Sequence, residues 1–337
     1  MPIPPNTPAT VEVSDYGESI FVGVEATEQA AVALPSTAAL FASSVAFKKV
    51  EEVVKLDRRT ALRPNDVINR QALVYWDVAA EFPYSSSGAA GSPSPLSAIL
   101  LGCGAKKVTV ADTSVTYMRD TRDAFDALTM EMRQPVSGGS YDYRHLAVGC
   151  RGQFGFSVEI GKEFTVSFKG VGRYAHPDRV ARLAPGYGAQ LTNLFDIVKA
   201  NAISIKKIGA RSVCLQSLTG SNCFGWDVKY MQTGCSALPD RAEPMDTDAS
   251  GTLELFIAMP DWMDAANGFN PYIAGDRSAN TPTVALEFEI GTSAGSKVVI
   301  GVNEAQLYEP TPAVLPNKLV GMKLKCDIVD GFSWVEK

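Results

Sequence analysis

The sequence predicts a mainly β protein, built as two tandem antiparallel β-barrel or sandwich modules with one short helix each. Three observations predict it. Apolar and polar residues alternate with a period of two through most of the chain, which puts one set on a buried face and the other on a solvated one. The stretch QFGFSVEIG at 153–161 is nearly rewritten as CFGWDVKYM at 223–231, seventy residues later. In each half an alternating strand also leads directly into a helix-like segment, ALVYWDVAAEF into SPLSAILLGCG and TLELFIAM into DWMDAANGF. The last two observations point to diverged copies of one module. Chance is the competing explanation, because period-two strands resemble one another.

Residues 1–46 are rich in Pro, Ala, Ser and Thr and read as an extended arm with little core of its own. The first module spans 47–174. It opens with a charged stretch, Lys48 to Arg70, suited to a solvated strand and loop. In ALVYWDVAAEF, Val74, Trp76, Val78, Ala80 and Phe82 share one face, and Tyr75, Asp77 and Glu81 take the other. After a Gly/Ser loop, Ser94 is placed to cap a helix, Pro95 to start it, and Gly102 or Gly104 to end it. Strands resume at KVTVA and at FDALTMEM, where Leu128, Met130 and Met132 oppose Thr129 and Glu131. YDYRHLAVG, QFGFSVEIG and EFTVSFKGVG complete the module.

Alternation breaks in YAHPDRVARLAPGYGAQ, which gives a connector over 175–202. The second module spans 203–337. In CFGWDVKYM, Phe224, Trp226, Val228 and Tyr230 share one face. Val284, Leu286, Phe288 and Ile290 oppose Glu287 and Glu289, and Met322, Leu324, Cys326 and Ile328 oppose Lys323, Lys325 and Asp327.

The chemistry is sparse. The 337 residues are 46% hydrophobic and carry a net charge of −6, with a pI near 5.2. A chain that grips nucleic acid displays a basic stripe, and this one has no such excess. There is no signal-peptide pattern and no apolar run long enough for a membrane span, so a soluble protein made in a cytoplasm is expected. The six cysteines form no C-x-x-C pair and read as reduced and mostly buried. Of the two histidines, His145 sits in a strand and His176 in a loop, neither beside a nucleophile motif. No phosphate-binding glycine motif occurs. Asp246 and Asp248 have D-x-D spacing in an acidic loop that lacks the other ligands of a calcium site. No catalytic residue, cofactor site or metal site is expected, and function is expected to lie in assembly surfaces.

The order of elements resembles the major tail tube proteins of long-tailed, siphovirus-like bacteriophages. The likeness runs from the arm (SDYGES, VEATEQAAVALPSTA) through the charged stretch FKKVEEVVKLDRRTALRP to ALVYWDVAAEFPYSSSGAAGSPSPLSAILLGCG, then VTVADTSVTYMRD and GCRGQFGFSVEIGKEFTVSFKG. It is weaker in the C-terminal half. The resemblance implies a structural virion protein, not an enzyme. Its copies would form rings, and the rings would stack into a tube whose joined sheets line a channel for genome delivery. Loops and terminal arms would bridge successive rings. DNA would pass without specific binding. Partners would be further copies of the chain and other tail proteins: the terminator, the tape measure and the tail tip. The location would be the virion tail, reached from the host cytoplasm, with no membrane involved.

A sixfold ring of single modules would be filled by three copies of a two-module chain, and by six if the second module only decorates the outside. Asp77, Glu131, Glu159, Glu287 and Glu289 are the acidic candidates for the channel lining. The rival readings are a tail-tip, hub or capsid decoration protein, a carbohydrate-binding β-sandwich using Tyr75, Tyr141 and Tyr143, and an esterase using His145 or His176.

Overall fold

The computed structural model describes residues 18–56, 66–83, 89–120, 125–136, 139–175, 177–187, 198, 202–231, 241–245, 251–258, 283–291, 295–314 and 320–337. The first half holds β1 (Ser19–Val24), β2 (Ala39–Leu40), β3 (Ser44–Leu56), β4 (Asp66–Glu81), helix α1 (Ser97–Leu101), β5 (Ala105–Val110), β6 (Ser114–Arg119), β7 (Leu128–Pro135), β8 (Tyr141–Glu159) and β9 (Thr165–Tyr174). β10 (Asp178–Ala181) follows. The second half holds β11 (Ile203–Ile208), β12 (Arg211–Ser212), β13 (Leu215–Ser221), β14 (Asp227–Met231), β15 (Arg241–Met245), β16 (Thr252–Ala258), β17 (Val284–Ile290), β18 (Val298–Val314) and β19 (Val320–Glu336).

Among the described residues, seventeen strands belong to one antiparallel sheet, and β14–β15 is a separate hairpin. In the first half the hydrogen-bonded order is β2–β1–β7–β8–β9–β4–β3. In the second it is β12–β11–β17–β18–β19–β16–β13. Position by position these are the same ranks along the chain. The halves meet where β13 pairs with the end of β8, with Thr219 opposite Ser157. They meet again where β6 pairs with the end of β19.

Alternation explains most of the strands. Val74, Trp76, Val78, Ala80 and Phe82 are all buried, as are Phe164, Val166 and Phe168. The main core is contiguous and draws on both halves. Trp334 of β19 shows why: it packs against Phe82, Phe154, Phe156 and Phe164 of the first half, with ring centroids 5.1–5.7 Å apart.

Several expectations are corrected. The arm contributes to the core, because β1 lies between β2 and β7 and buries Ile20, Phe21 and Val22. β7 is buried on both faces, not one. Its second face, with Thr129 and Glu131, is covered by a small core of Phe21, Leu34 and Ala39, with Leu183 and Tyr187 against it. Ser94 does not cap α1: its N–H and hydroxyl donate to Glu336, at 2.8 and 2.7 Å. The helix starts two residues beyond Pro95 and ends at Gly102. CFGWDVKYM is not one strand. Gly225 (φ 68°) makes a turn, its N–H donating to the Asn222 carbonyl, and the strand starts only at Asp227. The connector contains β10, paired with the start of β8. Part of the acidic loop is β15. Asp246, Asp248, Cys235, His176 and the helix expected at 261–269 lie outside the described residues.

Candidate assembly surfaces

Eight strands follow one another without a break in the order β3–β4–β9–β8–β13–β16–β19–β18, four from each half. Away from the β14–β15 hairpin, which covers Arg151 and Val171, their outer face is polar. One row of directly opposed residues crosses seven of them: Glu81, Thr165, Ser157, Thr219, Glu254, Lys325 and Tyr308. Every one is at least partly accessible, while the flanking Phe82, Phe164, Val158, Leu218, Leu255, Leu324 and Leu307 are buried. Strict period-two alternation is what produces such a face, one side solvated and the other in the core.

The five acidic candidates divide. Asp77 on β4 and Glu159 on β8 lie on this face, Asp77 opposite Lys169 with their charges 3.6 Å apart, and Glu159 2.7 Å from Lys162. Glu287 is accessible but belongs to β17, outside the eight strands, where it pairs with Lys207 at 3.7 Å. Glu289, also on β17, is 8% exposed and holds Lys297 at 3.1 Å.

Glu131 is 2% exposed. It accepts from Arg133 Nε and Nη2 at 3.0 and 2.7 Å and from Arg144 Nη1 at 3.0 Å. Arg144 in turn clamps Asp178 of β10, whose carboxyl is held below the usual range by that guanidinium. Glu131 and Glu289 are therefore buried ion-pair partners within the chain, not outer-face groups. Alternation marks the face opposite the core, and for Glu131 it cannot see the second layer that covers that face.

Charges on the eight-strand face that were not singled out include Glu254, paired with Lys323 at 2.8 Å, and Glu309, paired with Lys325 at 2.6 Å. Burial and the neighbouring Glu163 push the Glu81 carboxyl up. The face thus carries charge of both signs, largely in neutralised pairs. A groove of about 430 Å³ opens on it beside the β14–β15 hairpin, which packs on β8 and β9, lined by Lys48, Tyr75, Asp77, Gln153, Lys169 and Asp227 among others. Tyr141 and Tyr143 do not join Tyr75 there. They stack edge-on against each other at the start of β8, 6.2 Å apart.

His145 Nδ1 lies 2.9 Å from the Tyr174 hydroxyl, and burial pushes its pKa down. Among the described residues no three His, Cys, Asp or Glu side chains are placed to hold a metal. Cys103, Cys150, Cys223 and Cys326 are buried free thiols, and Cys214 is exposed.

The family of phage tail tube proteins matches residues 77–321, more than half of the chain. The chain belongs to the phage tail tube proteins. No curated protein matches it. As a tail tube protein it is a structural component of the virion tail that assembles with itself and with other tail proteins, and it is not an enzyme.

Proposed function

We propose that this tail tube protein closes into rings of three copies, and that stacked rings form the channel through which the genome is delivered. One observation carries the reading: both halves order their strands identically, and each supplies four strands to one continuous eight-strand face. The chain then acts as two tandem modules, 47–174 and 203–337, each filling one of six positions in the ring. A head-to-tail interface of this kind generates a ring when its rotation closes.

The eight-strand face is the channel wall in this reading, with Asp77 and Glu159 among its acidic residues. Its pairing of Asp77 with Lys169 and Glu254 with Lys323 suits passage. DNA is retained where unpaired basic groups displace its counterions, and here Lys169 and Lys323 each face a carboxylate. The terminator, tape measure and tail-tip proteins are the partners at the tube's ends and interior, and assembly takes place in the host cytoplasm.

Negative-stain electron microscopy with mass photometry tests the proposal. Rings at three times the 36.0 kDa chain mass, stacking into hollow tubes, are expected. Rings of six chains overturn the count. A chain that stays monomeric at high concentration overturns the tube reading itself.

A further inference from the structure

We infer that β3 of one copy pairs antiparallel with the far end of β18 in the next, placing Ala46 opposite Ala313 and Val45 opposite Val314. This rests on the ring reading above and names the edges that close it. The template is the seam inside the chain. There β8 gives its first part to β7, which leaves it at Cys150, and then takes β13 along the same edge. β18 is the equivalent strand. It gives its first part to β17, which leaves it at Ala305. Among the described residues, the rest of β18 pairs only with β19, and β3 pairs only with β4. One open edge thus stands at each end of the eight-strand run, and the strand equivalent to β13 is β3.

The register follows from the same template. Gln153 and Tyr308 are each three residues past the point where β7 or β17 departs. Each heads a matching cross-strand row, Gln153–Lys169–Asp77–Ala46 in one half and Tyr308–Lys325–Glu254–Thr219 in the other. Inside the chain, Thr219 meets Ser157, four residues beyond Gln153. Four residues beyond Tyr308, plus the extra residue of the bulge there, is Ala313. The bulge is centred on Glu309, whose φ is 47°. Its extra residue brings the faces into agreement: a shift of one residue would turn Val45 away from the core side.

Burial supports the pairing. At the internal seam Leu218 lies opposite Val158, and both are 0% exposed. At the open edges the equivalent Val45 is half-buried and Val314 is 66% exposed. Closure supplies the missing cover to both. Pro312 falls opposite Phe47 and brings no N–H to the ladder, so it limits how far the pairing extends. The seam is therefore short, as the four-residue internal one is.

Opposed Cβ atoms in an antiparallel pair lie about 4.5–5.5 Å apart, close to the span of a disulfide. The test is the double variant Ala46→Cys/Ala313→Cys, assembled and then oxidised with copper phenanthroline. Non-reducing gels are expected to show two- and three-chain species that wild type and the single variants lack. A ladder reaching six chains keeps the seam and overturns the trimer. Tubes that form normally with no crosslink above the single variants overturn the seam and leave the tube standing. Failure of the wild-type chain to assemble at all overturns both.

Discussion

Phe154 and Phe224 stack with ring centroids 5.5 Å apart and an interplanar angle of 29°. The Cys223 N–H donates to the Phe154 carbonyl at 2.9 Å in the same contact. Phe154 belongs to β8, the fourth strand of the first half's run, and Phe224 follows β13, the first strand of the second. The pair therefore sits at the seam between halves. Phe154 also meets Phe168 at 5.5 Å and Trp334 at 5.1 Å, and Phe224 meets Phe332 at 5.4 Å. The aromatic cluster ties both halves into one core, which accounts for the sheet passing from one to the other without a gap.

Phe224→Ala is expected to cost about 3–5 kcal/mol, the range for removing a fully buried aromatic. The loss should appear as a single lowered transition in denaturant unfolding followed by far-UV circular dichroism. Two separate transitions, with only the second half destabilised, would show that the halves unfold independently and that the seam is not a shared core.

Glu336 gives a pH dependence with a definite sign. It is 5% exposed, accepts from the Ser94 N–H and hydroxyl, and lies near the Trp334 indole N–H, Tyr117 and Lys107. Burial pushes its pKa from 4.5 up to about 7. The folded chain therefore favours the protonated carboxyl more than the unfolded chain does. The stability this contributes is complete below pH 4.5 and is lost as pH rises towards 7. Glu336→Gln keeps an acceptor for Ser94 and removes the charge. At pH 8 it should be more stable than wild type by up to a few kcal/mol, on the order expected from such a shift. At pH 4 the two should be nearly equal. Thermal melts across this range that run parallel at every pH would sink the assignment.

The alternation that marks strands was legible in the residues, and so was the buried face of nearly every one: Val74 to Phe82, Phe164 to Phe168, Val284 to Ile290. Helix α1 was legible from its Pro and Gly punctuation, though Ser94 answers to a distant carboxylate. Pairing order was not legible, because any edge with free N–H and C=O groups can accept any other, and the choice is made by the tertiary core. The apparent repeat shows the difficulty. QFGFSVEIG lies in β8, whose positional equivalent is β18, and not CFGWDVKYM. The two look-alike stretches are instead neighbours across the seam, one in a strand and the other bent by Gly225. The strand orders of the halves match where their sequences do not, since a pleated position asks only for apolar or polar character. On the outer face Asp77 and Glu159 were readable, but the layer over β7 that buries Glu131 comes from segments more than 50 residues away on either side.

Glu131→Ala should be severe. It leaves Arg133 and Arg144 without the carboxylate between them, and Arg133 is itself 7% exposed. Breaking a buried ion pair on one side costs about 3–5 kcal/mol. Hydrogen exchange should report faster opening of β10, which the same Arg144 holds through Asp178. Unchanged protection across 178–181 would mean that β10 is held by its backbone ladder to β8 alone.

Val314→Glu separates folding from assembly. The side chain is 66% exposed in the single chain, so the substitution should change monomer stability by no more than about 0.5 kcal/mol. In the closed ring the same position faces Val45 in an apolar seam, and a carboxylate there would be desolvated without a partner. The expected result is a folded chain with the wild-type melting temperature that no longer forms rings in mass photometry. Acidification towards pH 4 should restore part of the assembly by neutralising the new carboxyl. A variant that still forms rings as readily as wild type at neutral pH would place the ring contact on some other edge of the sheet.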